Sequence, residues 1–198
     1  MRPEYWIPLL AYLLGSIPFG FLLVRLGEGK DIRRYGSGNI GATNVYRRSR
    51  AAGILTLALD AAKGTLAVLA AGWLGGGVEW QAVAALFAIT GHVFTPWLRF
   101  KGGKGVATGC GAFLALSPLA VATTLVVFAL VLALSRYISA ASLAAAATFP
   151  LFAGFYGAPA QVLLWASLGA VLIIARHHEN IRRLRAGTEN RFRPGSRS

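Results

Sequence analysis

Acidic side chains are scarce in this chain: seven Asp and Glu stand against twenty Lys and Arg in 198 residues. Charged residues of both signs amount to 14%, where a water-soluble surface calls for about 25%. That shortage argues against an ordinary soluble domain, and the apolar content excludes a disordered chain. A single cysteine, Cys110, excludes an internal disulfide and a cysteine-based zinc finger. It stands among apolar neighbours and reads as a packing residue. No cofactor and no metal site is expected, since no Cys/His metal set, no paired carboxylates and no defensible Ser-His-Asp arrangement occur. The 24 glycines follow no Gly-X-Y period, which excludes collagen. What the chain has in plenty is hydrocarbon: 56% of residues are apolar or aromatic, with a mean hydropathy of +0.57. The class left is a polytopic membrane protein forming a single domain over residues 1–198.

A bilayer-spanning helix needs about 20 mainly apolar residues. Such runs occur at 5–26, 52–74, 80–98, 138–156 and 159–175. The stretch 106–135 is too long for one span, and Ser117-Pro118 divides it into a short span, 106–116, and a second, 119–135. The expectation is an all-α integral membrane protein with seven transmembrane helices. Charge fixes the orientation. With the N-terminus outside and the C-terminus cytoplasmic, eighteen of the twenty cations fall on one side, Arg2 lies opposite and Lys63 lies within a span. The positive-inside rule favours this arrangement, and explains the basic pI without a nucleic-acid partner. Residues 193–198 read as a natural tail or an appended remnant.

Three polar clusters fall on that cytoplasmic side. The first runs from Asp31 to Arg47 and contains Gly36, Gly38 and Gly41 spaced as G-x-G-x-x-G. No strand precedes it, so it is no dinucleotide fingerprint. Its glycines can turn backbone amides inward as an anion nest, Ser37, Asn39, Thr43 and Asn44 add short neutral donors, and Arg47 can grip a phosphate with two parallel hydrogen bonds. The second, Phe100 to Thr108, places Lys101, Gly102, Gly103 and Lys104 just before a helix, a natural phosphate seat. The third spans Arg176 to Phe192. If the last helix continues past residue 175, His177, Asn180 and Leu184 share one face. Asp60 and Lys63, one turn apart inside a span, read as a self-neutralising structural pair. Ser139 and Ser142 either cap a helix or touch ligand. Together these features describe a membrane protein with a cytoplasm-facing site for one or two phosphates beside hydrocarbon.

At these clusters the sequence resembles the bacterial acyl-phosphate:glycerol-3-phosphate acyltransferases, the PlsY family. The resemblance covers nearly the whole chain: Gly15 to Gly20, Gly36 to Arg47, Asp60 to Gly64, Gly91-His92 with Phe100 to Thr108, and Arg176-His177 through Glu189 and Phe192. Pro96 stands one residue later than the family pattern. The resemblance implies transfer of a fatty acyl group from acyl phosphate to the 1-hydroxyl of sn-glycerol 3-phosphate, giving lysophosphatidic acid and inorganic phosphate. By position, Ser37 and Arg47 match polar groups the family needs. The glycines and Lys104 match its phosphate cradle, Ser142, His177 and Asn180 its glycerol-phosphate pocket, and Glu189 is a further motif position. The His-x-x-x-x-Asp motif of thioester-using acyltransferases is absent. The implied enzyme is a monomer in the bacterial inner membrane, with membrane lipid around it and its active site facing the cytoplasm. Lys104, Arg47, His177 and Ser37 are its catalytic residues. The proton acceptor is either His177 or a phosphate oxygen of the donor.

Overall fold

A computed structural model describes residues 3–192; the expectations placed on Arg2 and on residues 193–198 lie outside the described residues. The described residues form ten α-helices and no strand: α1 (Ile7–Ser16), α2 (Phe19–Glu28), α3 (Ala42–Arg48), α4 (Arg50–Trp73), α5 (Val78–Val93), α6 (Val106–Leu114), α7 (Pro118–Ser135), α8 (Ile138–Phe155), α9 (Ala160–Arg176) and α10 (His178–Arg185). Five segments are long and apolar enough to cross a membrane: Ile7–Glu28, Arg50–Trp73, Val78–Leu98, Pro118–Ser135 and Ile138–Phe155. A sixth is α9 taken together with α10, bent by 55°. The short segment expected at 106–116 is α6. Its nine residues rise about 14 Å, under half of the roughly 30 Å hydrocarbon thickness. Length alone therefore supports five or six spans rather than seven.

The first apolar run is broken where the sequence reading had one helix. Pro18 has no N–H and disfavours helical geometry in Ile17, which turns out to φ −59°, ψ 116°. The carbonyls released by the break do not stay bare. Lys63 Nζ donates to Ile17 O at 2.7 Å and Thr95 Oγ1 donates to Ser16 O at 2.7 Å.

Bare backbone meets backbone at the main crossings. A Cβ on Gly111 would lie 1.9 Å from Ala61 O, and one on Gly64 would lie 2.1 Å from Thr108 O. Glycine thus lets α4 and α6 touch. In lipid, where apolar burial between helices gains little, such close approach supplies the packing energy. The core lies between α4, α5, α6, α7, α8 and α9, with Phe113 and Phe149 rings 4.8 Å apart and Cys110 packed against its edge. The outer faces carry exposed Leu57, Leu125, Leu130, Leu151 and Val171, as a lipid-facing surface requires.

Candidate active site

The loop before α3 is a side-chain platform more than an amide nest. Its turns use Gly36 and Gly38 at φ 56° and 70°, but its amides are bonded within the loop. Ser37 N–H donates to Asn44 Oδ1, Gly41 N–H to Asn39 Oδ1, and Gly38 N–H to Tyr35 O. The Asn44 side chain is 3% exposed and donates to the carbonyls of Ile32, Tyr35 and Asn39. It is therefore the pin that holds the loop on α3. Ser37, Asn39, Thr43 and Arg47, the last in the final turn of α3, line a cavity within the bundle. Gly36 and Gly38 shape the loop behind them.

The second cluster folds back along α5. Gly102 N–H donates to Val93 O and Gly103 N–H to His92 O, so α6 begins beside Ile89, inside the end of α5. Lys101 is left exposed, away from the cavity. Gly105 caps α6 at φ 86°, a conformation that costs a residue with a Cβ. No side chain caps this helix. The first intrahelical bond belongs to Gly109, which leaves the amides of Val106, Ala107 and Thr108 without helical acceptors. Lys104, Gly105, Val106 and Ala107 line the same cavity. An uncapped, inward-facing helix start beside an ammonium is an anion seat.

The last apolar helix continues only to Arg176, and a separate helix, α10, follows from His178. The His177 ring takes over a backbone acceptor: its Nδ1 lies 2.7 Å from Ile173 O, while its own N–H slips to Ile174 O. A side chain competing for the i−4 carbonyl bends the chain, and α10 leaves at 55°. His177 and Asn180 still share a buried position, 2% and 5% exposed. Since a carbonyl only accepts, Nδ1 carries the proton and Nε2 is the accepting nitrogen.

Asn180 joins the clusters. Its Oδ1 accepts a short hydrogen bond from Lys104 Nζ, and its Nδ2 donates to Glu189 Oε1 at 2.7 Å. Ser139 Oγ donates to the same oxygen at 2.9 Å, and Arg183 Nε to Oε2 at 2.7 Å. Ser139 is thus not a cap; its proton goes to Glu189 while the side chain lines the cavity. Glu189 is occupied on both oxygens and acts as the keystone of the network. Its burial alone would raise the carboxyl; the bonds from Arg183, Asn180 and Ser139 outweigh that and hold it below the usual carboxylate range. Burial pushes the Lys104 ammonium down to about 8, partly offset by the charge of Glu189. Burial also pushes His177 down to about 4, with the Ile173 carbonyl opposing, so the ring is neutral at pH 7.

The cavity holds about 350 Å³. Its polar side carries Ser37, Arg47, Lys104, Ser142, His177 and Asn180, and its other side is hydrocarbon from Leu57, Cys110, Phe113, Leu125, Phe128 and Phe149. Ser142 is 5% exposed. Sequence reading missed Arg183, Asn190, and the cavity-lining positions of Asp60 and His92. Arg183 carried a signal, standing one helical turn after Asn180 and six residues before the glutamate it pairs with. Among the described residues no group of three or more His, Cys, Asp or Glu is placed to hold a metal.

A family model described as glycerol-3-phosphate acyltransferase matches residues 5–187. Two bacterial relatives carry that same name. The one from Trichlorobacter lovleyi is 54% identical over 92% of this chain and 94% of its own. The one from Geobacter sulfurreducens is 50% identical over 98% and 100%. A crystal structure of PlsY, an integral membrane glycerol 3-phosphate acyltransferase in its glycerol 3-phosphate form, superposes with a TM-score of 0.91 at 39% identity, covering 96% of each chain. The lysophosphatidic acid form superposes at 0.88 and 37% identity, covering 96% of this chain and 95% of that one.

Proposed function

The chain belongs to the glycerol-3-phosphate acyltransferase family, and from that premise we propose that it moves a fatty acyl group from acyl phosphate to the 1-hydroxyl of sn-glycerol 3-phosphate. The products are lysophosphatidic acid and inorganic phosphate. One observation carries the reading: three polar clusters distant in sequence meet at one cavity whose remaining wall is hydrocarbon. Such a cavity suits two phosphates on its polar side and a fatty chain along its hydrocarbon side. The solved relatives bear the names of an acceptor and a product of this reaction.

An acyl phosphate is already activated, so no covalent enzyme intermediate is needed. The glycerol oxygen attacks the acyl carbon, a new C–O bond forms, and the bond from that carbon to the bridging phosphate oxygen breaks. Phosphate leaves with the electron pair. Two anions that repel one another must be held in contact, and fixed positioning supplies several kcal/mol of the barrier lowering. Arg47 holds the glycerol phosphate, with Ser37, Asn39 and Thr43 around it. Lys104 and the α6 amides receive the donor phosphate and the charge that grows on it. Ser142, His177 and Asn180 orient the glycerol; Glu189 keeps Asn180 and Lys104 in place. The hydroxyl proton passes to a phosphate oxygen of the donor. The His177 Nε2 accepts a hydrogen bond from the glycerol but is too weakly basic to take its proton.

We place the protein in the bacterial inner membrane as a monomer, N-terminus outside, with α6 and the chain flanking it as the seventh, short crossing and the polar side of the cavity at the cytoplasmic face. The cations support this, since the segments that carry them meet at one end. Phe192 N–H donates to Arg136 O, Tyr46 and Phe192 rings lie 6.0 Å apart, and Lys104 meets Asn180. The test is phosphate release from synthetic palmitoyl phosphate by purified protein. Release should depend on glycerol 3-phosphate and fall about 10²–10³-fold in Arg47→Ala, the cost of removing one fixed transition-state donor. Release that ignores glycerol 3-phosphate, or acylation from a thioester alone, would sink the donor assignment.

A further inference from the structure

Lys63 is enclosed in the bundle, 2% exposed, and its ammonium has three protons. Two of them meet acceptors, Ile17 O at 2.7 Å and His92 Nδ1 at 3.0 Å, while Asp60 Oδ1 stands 2.7 Å from the ammonium as its ion-pair partner without an aligned hydrogen bond. An ammonium only donates, so His92 Nδ1 accepts, and the neutral ring carries its proton on Nε2. Asp60 Oδ1 stands farther off, 3.6 Å from Nδ1 and beyond hydrogen-bonding distance, so the nearer ammonium sets the role of that nitrogen. Nε2 makes no hydrogen bond to the described residues. It faces the backbone of Gly103, where a Cβ would lie 2.1 Å from it. The next two residues are Lys104 and Gly105, the start of α6, and His92 itself lines the cavity. The ring is 5% exposed.

We infer that His92 presents a fixed Nε2–H donor to the phosphoryl group seated at the start of α6, and that Lys63, held by Asp60, sets the tautomer that makes it a donor. The inference rests on the proposed use of acyl phosphate and adds a substrate-touching residue to that site. Asp60 and Lys63 then position the ring as well as closing the break at Ile17. The absence of a side chain at Gly103 gains a purpose: it leaves the donor uncovered.

The experiment pairs two substitutions with a spectrum. His92→Asn keeps an acceptor near Lys63 and removes the Nε2 donor; His92→Gln returns an N–H near that position. With palmitoyl phosphate as donor, His92→Asn should lower kcat about tenfold or more, as loss of a donor to developing charge does. It should weaken inhibition by inorganic phosphate in parallel and leave the KM for glycerol 3-phosphate unchanged. His92→Gln should recover most of both. A folded His92→Asn with wild-type kcat and wild-type phosphate inhibition overturns the inference. Where His92→Asn does not fold, ¹⁵N-histidine spectra of the unmodified chain decide, assigned with His177→Gln and His178→Gln. His92 should show the Nε2–H tautomer and shift on addition of inorganic phosphate. The opposite tautomer, or no response to phosphate, rejects it. If the unmodified protein does not turn over acyl phosphate, the donor reading fails, while the response of the ring to inorganic phosphate still decides His92.

Discussion

Lys104 ties charge, burial and rate together. Burial holds its ammonium at about 8, and only the charged form neutralises a phosphate. The charged fraction is therefore about 90% at pH 7 and about 10% at pH 9. In a pH series, kcat/KM should fall as pH rises through about 8, because that ratio follows the free enzyme. The same limb in kcat should move to higher pH, since bound phosphate favours the ammonium. His177, at about 4, adds no limb between pH 5 and 8; one near pH 6 belongs to the second ionisation of the glycerol phosphate. His177→Gln tests the proton acceptor. If the donor phosphate takes the proton, the loss in kcat stays below about 10²-fold, the lower end of what removing a general base costs. A larger loss with substrate affinity intact assigns the proton to His177. Arg47, Lys104 and His177 were legible in the sequence because few other residue types bind phosphate. The occupation of Asn44 and Glu189 by protein groups was not, since their partners lie on other elements. Lys101 and Lys104 looked alike in sequence; only the fold-back at Gly102 and Gly103 sends one outward and the other in.

At the scale of elements, the site depends on where α6 begins. Two contacts set that level: the Gly102 and Gly103 amides on the end of α5, and the crossing of α6 on α4. Gly111→Leu must separate that crossing, because even a Cβ would lie 1.9 Å from Ala61 O. Overpacking of this kind costs about 1–3 kcal/mol or more. A lower melting temperature in detergent and a loss of activity should appear together, whereas an unchanged melting temperature would show the crossing is not tight. Glu189→Gln should act differently. It removes the ion pair with Arg183, a charged hydrogen bond in the range of about 1.5–3 kcal/mol, and frees Asn180 from its anchor. Kinetics on that variant should show a fall in kcat/KM of about tenfold or more, with the α4–α6 crossing intact and the melting temperature lowered by only the few degrees that a loss of this size implies. Helix boundaries were legible from apolar runs to within a few residues, but breaks were not. Pro18 breaks its run while Pro150 sits inside α8 without ending it. The difference lies in Lys63 and Thr95, which accommodate the carbonyls released near Pro18. The bend at His177 has no proline or glycine to announce it.

For the whole molecule, composition alone separates two regions: a basic end where the four cation-rich segments gather, and a hydrocarbon body. The proposed orientation puts that end in the cytoplasm, and the cavity passes from one region into the other. The convergence of the three clusters was foreseen as a function of charge and glycine; the level at which α6 begins was not, since it depends on the fold-back of Gly102 and Gly103 onto α5. The most direct measurement is a structure of the protein with a non-hydrolysable acyl phosphonate and glycerol 3-phosphate bound together. The phosphonate should sit at the start of α6 on Lys104, the glycerol phosphate on Arg47, and the chain against Leu57, Leu125 and Phe128, with the glycerol 1-hydroxyl facing the acyl carbon. Two ligands in separate cavities, or a chain lying outside this groove, would contradict it.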